Sequence, residues 1–420
     1  MNRPRLLPNI LTLGVLRVAN FVVALATLPY LTRVLGVTMW GEIVFAQMIV
    51  NQLVWISNWG FYHSAVRKIA AGRDDASLVR KLFMRTWAAQ WMLTLAVSLL
   101  LLVAMYTVPV LALNRPLYWA GFGAIIANLL TPIWFLNGLE RIREVALIQI
   151  LAKLLAIPLI FWWVRSSGDA FAYVAINAVC ATVVGALSLC WICHRFHLKW
   201  FRPSVREVAF ELRDGAVLFA STIWANLFTN LTPTALGLIA GPTALGYYNL
   251  ADRVRGAAIT SLHPITHALF PRMCNLYALD QVEARRLLVR TGLLIGCGAF
   301  VIALGVSAFA DKFLALLGGD GFRHAIPVLR WLAFSIFVTT LSEFCIYQIL
   351  VPAGRFRVFH GAVATTLVLA VLVVYPVMTH FGLEGAAIFT ICAESLLTTL
   401  LLSILVWKRF YLLQSNPPKT

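Results

Sequence analysis

Residues 28–41 read LPYLTRVLGVTMWG, and a loosely rewritten form, LTPTALGLIAGPTALG, occupies residues 231–246. At an offset of 205 positions Gly36 falls on Gly241 and Gly41 on Gly246. The same offset carries Arg67 onto Arg272, Arg80 and Lys81 onto Arg285 and Arg286, and Arg85 onto Arg290, without a gap. Loops of equal length could produce some of the basic matches. The paired glycines and the constant offset point instead to a duplicated chain.

What kind of chain is duplicated follows from composition. Of 420 residues, 61% are hydrophobic and 12% charged, with a mean hydropathy of +0.84. So few charges could not keep a soluble protein of this length in solution. Apolar runs of about 20 residues recur throughout, each long enough to cross roughly 30 Å of hydrocarbon. The N-terminal MNRPRLLPNI shows no small-residue cleavage site, so the first run reads as a retained helix. Seven cysteines fall mostly within apolar runs. Cys190 and Cys193 form a CxxC at the end of such a run without a second ligand pair, and read as small core residues.

Twelve spans are expected: 10–33, 41–63, 86–107, 117–138, 145–164, 171–193, 215–238, 246–271, 290–310, 325–350, 358–379 and 384–407. With the N-terminus inside, the inward segments hold 24 Lys and Arg, the outward loops five, and the spans the other five. That bias places both termini in the cytoplasm. The net charge of +17 is therefore mostly a topology signal, reinforced by attraction to anionic lipid, and not a nucleic-acid surface. Six spans per half is an even number, so both halves enter from the same side and the repeat is parallel. The expected fold is an all-α integral membrane protein of about twelve transmembrane helices, in two six-helix lobes around a central cavity. The lobes are 1–193 and 215–407, joined by a cytoplasmic amphipathic linker at 194–214 (HRFHLKWFRPSVREVAFELRD) and followed by a tail at 408–420.

A charge inside a membrane needs a partner or a task. Arg17 lies about nine residues into the first span, roughly 13 Å deep at about 1.5 Å per residue; it faces a wet interior or a structural ion pair. Asp252 and Arg255 are three apart on one helix face and can pair, whereas Arg253 points elsewhere. An arginine there is available to an anion, or snorkels to the interface. Lys153 is an even choice between cavity lining and packing. Glu42, Asp252, Glu343 and Glu394 are the carboxylates available for ion or proton coupling, Glu343 and Glu394 being the deepest. Trp55 and Trp59, with Asn58, would suit sugar stacking or helix packing equally. His263 and His267 have the spacing of helical zinc ligands, but without HExxH or a third ligand they read as packing or hydrogen-bonding residues. No sequence motif for ATP hydrolysis, sugar transfer or acyl transfer is present, and no cofactor is expected.

Several blocks resemble one known family. PYLTRVLG at 29–36 with FAQ at 45–47 is similar to the first two helices of Wzx-type polysaccharide flippases, of the multidrug, oligosaccharidyl-lipid and polysaccharide exporter superfamily. NWGF at 58–61 and AVRKIA at 65–70 resemble that family's "DYGF … ATREIA" signature, and WFLNGLER at 134–141 its "WFFQGLEK" block. LGYYNLADRV at 245–254, HPITHALFPRM at 263–273 and GLEGAA at 382–387 resemble its second-lobe blocks. Asn58 stands where the family has Asp, and Asn137 where Gln is common. The resemblance implies alternating access by a carrier in the bacterial inner membrane, not an enzyme. The cargo would be an oligosaccharide repeat unit on undecaprenyl diphosphate, moved from the cytoplasmic to the periplasmic leaflet for O-antigen or exopolysaccharide. It also implies diphosphate-binding arginines in the first and eighth helices, here Arg17 and Arg253 or Arg255. A polysaccharide polymerase and a chain-length regulator are the candidate protein partners, besides membrane lipids. Two other readings stay open: an ion-coupled drug antiporter of the same superfamily, and a polymerase or scaffold of polysaccharide assembly.

Overall fold

The computed structural model describes the backbone of residues 6–198 and 201–407, and the side chains from residue 27 onward except 142, 143, 146, 278, 281, 406 and 407. Among the described residues every regular element is helical. Among the described residues seven helices are long and apolar enough to cross a membrane, and the chain is a multi-pass membrane protein. Its surface agrees: Leu95, Leu99 and Val103 on one helix, and Val368, Val371, Leu372 and Tyr375 on another, are at least half exposed. Such apolar faces would drive aggregation in water but match lipid.

The chain divides into two compact units, Met1–Thr222 and Ile223–Thr420. In the first, α1 (Leu6–Asn58) is one run broken at Gly36, whose φ of 74° and ψ of 172° are not helical. That break separates the spans expected at 10–33 and 41–63. A second break at Trp59 and Gly60, both at positive φ, turns the chain into α2 (Phe61–Ala71). There follow α3 (Ala76–Thr107), α4 (Pro109–Ala112), α5 (Arg115–Leu130), α6 (Ile133–Gly138), α7 (Ile142–Trp163) and α8 (Ala170–Arg195). Their core gathers Phe61, Ala65 and Ile69 of α2 with Phe83 and Trp87 of α3 and Trp134, Phe135 and Leu136 of α6. The NWGF, AVRKIA and WFLNGLER blocks thus meet in one packed cluster, and the signature residues among them are framework.

The unit boundary falls inside α9 (Val205–Ile239). The expected linker 194–214 therefore ends as the first turns of this helix. A capping box starts it: Ser204 N donates to Glu207 Oε2 at 2.8 Å, and Glu207 N to Ser204 Oγ at 3.3 Å. Its acids then pair with bases of α2 and α3 within the first unit. Glu207 pairs with Arg85, Glu211 with Lys68 at 2.7 Å, and Asp214 with Lys68 at 2.9 Å and Arg67 at 3.6 Å. The Glu207 carboxyl is held below the usual carboxylate range, first by the Ser204 N–H and then by Arg85. Backbones close the joint: a Cβ on Gly60 would lie 2.7 Å from Gly215 O, and one on Gly215 2.6 Å from Trp59 O. Only glycine fits either place.

In the second unit α9 ends at Gly241, where φ is 86°. Gly36 and Gly241, matched in sequence, are thus both chain breaks in the left-handed half of backbone space. Then come α10 (Gly241–Leu279), α11 (Gln281–Ala308), α12 (Ala310–Gly318), α13 (Ala325–Phe344), a π-helical turn at Cys345–Leu350, and α14 (Phe356–Trp407). Gly382 (φ 52°) breaks α14 between the spans expected at 358–379 and 384–407. Unlike α1 and α2, α10 runs through the equivalent of residues 59–60 without a break, carrying Pro264 and Pro271 inside it. Neither α9 nor α10 is among the seven strongly apolar helices. The first carries Asn226, Asn230 and several threonines, and the second Asp252, Arg253 and Arg255, which makes these two helices more polar.

Candidate functional site

Among the described residues polar groups converge at a place in each unit. In the first unit a cavity of about 800 Å³ is bounded by α1, α5, α7 and α8. Its polar lining is Gln47 and Asn51 of α1, Asn128 and Thr131 at the end of α5, Gln149 and Lys153 of α7, and Asn177 of α8. The pairs 47/51 and 149/153 are one helical turn apart, so each puts two polar groups on one face. Between them sit small residues, including Gly121, Ala124, Ala127 and Ala178, which open the space. Among the described lining residues Lys153 is the charged one.

Beneath this cavity an amide network fixes α1 to its neighbours. Asn128 Nδ2 donates to Asn58 Oδ1 at 3.2 Å, Gln90 Nε2 donates to the same oxygen at 3.2 Å, and Trp134 Nε1 donates to Gln90 Oε1 at 3.0 Å. Asn58, expected as a sugar contact, belongs to this network. Trp55 and Trp59 lie against Phe219, with ring centroids 4.4 and 4.6 Å away. Trp59 Nε1 also donates to Leu212 O at 2.8 Å. Both tryptophans are thus placed at the joint with α9. Glu42 stands apart, hydrogen-bonded with Asn114 and close to Tyr118.

The second place lies where α10, α13 and α14 meet. Arg255 Nε donates to Asp252 Oδ1 at 2.7 Å, the intrahelical pair read from the sequence, and its Nη1 to Ser335 Oγ at 3.3 Å. Glu394 and Glu343 lie within electrostatic reach of the same guanidinium. Glu343 Oε2 is 3.2 Å from His263 Nε2, so His263 serves a carboxylate, and its neighbour His267 lies edge-on at 5.9 Å. One turn along, the π-helical segment brings Gln348 to Thr266, whose carbonyl accepts from Gln348 Nε2 at 2.8 Å. Tyr248, Thr390 and Thr232 form a hydroxyl chain at 2.9 and 3.3 Å beside Asp252, Arg255 and Glu394. Glu343 and Glu394, singled out apart from the Asp252–Arg255 pair in the sequence, therefore share one cluster with it. Arg253 is exposed on another face, donating to Asn249 Oδ1 at 3.1 Å. The side chain of Arg17 lies outside those described.

Sequence reasoning missed the amides at 47, 149 and 177 and the roles of Ser335, His263 and Tyr248. The signal for the first set was present, as polar residues at four-residue spacing inside apolar helices. The second set is assembled across some eighty residues or more, which no local spacing reveals.

The chain is 28% identical over 408 residues to a protein of Escherichia coli (strain K12) named "Putative O-antigen transporter", covering 96% of this chain and 97% of that one. It is 22% identical over 394 residues to a Shigella dysenteriae protein of the same name, covering 94% and 98%. Among solved structures it resembles an inward-facing multidrug resistance MATE family transporter of the MOP superfamily. The TM-score is 0.71 at 15% identity, over 92% of this chain and 94% of that one. A MOP superfamily transporter from Pyrococcus furiosus matches with TM-score 0.61 at 14% identity, over 98% and 95%. At such identities these likenesses speak to the fold. A family model described as polysaccharide biosynthesis protein matches residues 6–277, so the chain belongs to that family, as its Wzx-type motifs indicate.

Proposed function

We propose that the protein is a flippase for undecaprenyl-diphosphate-linked oligosaccharides. It carries O-antigen or exopolysaccharide repeat units from the cytoplasmic to the periplasmic leaflet of a bacterial inner membrane, by alternating access. The observation that carries this reading is the end-to-end likeness to a relative named for O-antigen transport, on a chain with an exporter-type helical fold. In this reading the two units are parallel six-helix lobes, twelve crossings in all, with both termini cytoplasmic.

A diphosphate and a glycan cannot cross hydrocarbon unaided, so the carrier must offer them polar surfaces inside the membrane. Arginine suits the diphosphate because its planar fork donates in parallel to phosphate oxygens and keeps its charge. Arg255 uses one donor on Asp252 and one on Ser335, out of five. Arg253 and Arg17 are the other candidates, with Lys153 in the first unit. Asp252, Glu343 and Glu394 outnumber Arg255 in their cluster. That surplus of carboxylates supports a coupling site that takes up a proton or cation as the arginine releases its anion. A drug antiporter would line its cavity with acids to attract cations, and the amide-and-lysine lining of the first unit supports a glycan carrier instead.

Deleting the gene and assaying both leaflets for lipid-linked intermediates tests the reading. Loss of surface polymer with single repeat units held on the cytoplasmic side is expected. Units that reach the periplasm unpolymerised would replace it with a polymerase or scaffold role.

A further inference from the structure

We infer that the cavity of the first unit is a sugar-binding subsite, selective for hydroxyl-rich glycans that are neutral or carry one acidic group. This rests on the proposed function only in taking the cargo to be a glycan. Gln47, Asn51 and Gln149 make no hydrogen bond among the described residues, although each lies in a membrane helix and lines the cavity. Unpaired amides are costly in hydrocarbon and persist where they face a water-filled space. Each primary amide presents two donors and an acceptor, the set that a sugar hydroxyl, itself donor and acceptor, can fully use. Asn177 Nδ2 is committed to Tyr173 O at 2.8 Å, which leaves its oxygen as an acceptor. Asn128 is held by Ser57 and Asn58, and fixes one wall.

Size and charge narrow the class. About 800 Å³ lies within the roughly 300–1,000 Å³ of small-molecule sites, so the space takes part of an oligosaccharide. Lys153 is the charged group among the described lining residues, and its positive sign favours an acidic sugar over a cationic one. A lipophilic cation would meet the Lys153 ammonium, which disfavours it.

The test uses the full-length protein in nanodiscs, titrated with methyl glucoside, methyl N-acetylglucosaminide and methyl glucuronide and read by saturation-transfer NMR. Transfer to the ring protons is expected, with the apparent Kd raised about tenfold by Asn51→Leu or Gln149→Leu, the equivalent of one lost hydrogen bond. Lys153→Gln should weaken the glucuronide more than the neutral glycosides, removing any preference for it. Gln149→Glu, close to the native shape, should weaken the glucuronide more than the glucoside, which a folding defect would not do. No transfer from any of the three, or transfer unchanged in both leucine variants, overturns the inference. Absent sugar binding with repeat units still trapped in the deletion strain leaves the flippase reading standing. Sugar binding with normal glycan in that strain keeps the subsite and removes the flippase reading.

Discussion

Lys68 Nζ lies 2.7 Å from Glu211 Oε2, and the Glu211 side chain is only 1% exposed. A carboxylate from the start of α9 is thus buried against α2, with Asp214 sharing the same ammonium at 2.9 Å. Removing one partner of such a pair leaves an uncompensated charge, which costs about 3 kcal/mol. Lys68→Met should therefore lower the thermal midpoint of the purified protein clearly, and Lys68→Met with Glu211→Leu should recover much of the loss. Equal losses in the single and double variants would mean that the pair does not hold α9.

Asp75 and Asp280, 205 positions apart, cap α3 and α11 in the same way. Asp75 accepts from Ser77 N and Leu78 N, and Asp280 from Val282 N and Glu283 N. Asp75→Ala and Asp280→Ala should each lower the thermal midpoint by a similar small amount, about 2 °C. The Asp75 carboxyl is held below its ordinary value of 3.8, first by the Ser77 hydroxyl and then by backbone N–H groups of Leu78 and Ser77. Its stabilisation is therefore full above about pH 4 and lost as pH falls through the lowered value. The midpoint difference between wild type and Asp75→Ala should shrink on acidification.

Arg255 divides its donors between Asp252 and Ser335. Lysine keeps the charge but cannot reproduce that fork. Export of surface polymer, compared at equal membrane abundance, should disappear in Arg255→Ala and fall about tenfold in Arg255→Lys, the equivalent of one charged hydrogen bond. Full export by Arg255→Ala would remove this arginine from the transport site.

His263 faces Glu343 at 3.2 Å. If coupling runs through this contact, transport compared between about pH 5 and 8 should depend on it. Glu343→Gln should flatten the pH dependence of transport in vesicles over that range while leaving substrate binding measurable. An unchanged pH profile would move coupling elsewhere in the cluster.

The all-helical membrane class was legible in the sequence because apolar run length is a one-dimensional signal. The offset of 205 has local counterparts in the structure: Gly36 and Gly241 are both chain breaks, and Asp75 and Asp280 both cap helices. The acidic side of the linker was hidden. Residues 194–214 read as basic and interfacial, yet Glu207, Glu211 and Asp214 dock α9 through partners more than a hundred residues away. Local spacing predicted the Asp252–Arg255 pair, since residues three apart on a helix are neighbours. It could not predict that Glu343 and Glu394 would join them, because that depends on how α13 and α14 pack on α10. The amides at 47, 51 and 149 were in plain view, but only the enclosing helices turn them into one surface.

The most direct test of the central claim is reconstitution. The purified protein is placed in vesicles carrying undecaprenyl-diphosphate-linked oligosaccharide, with the glycan in the outer leaflet removed by a membrane-impermeant glycosidase. The account predicts that wild-type vesicles will expose the remaining glycan to the enzyme with time, and that vesicles holding Arg255→Ala will not. Exposure at the same slow rate in wild-type and protein-free vesicles, with or without a pH gradient, would contradict it.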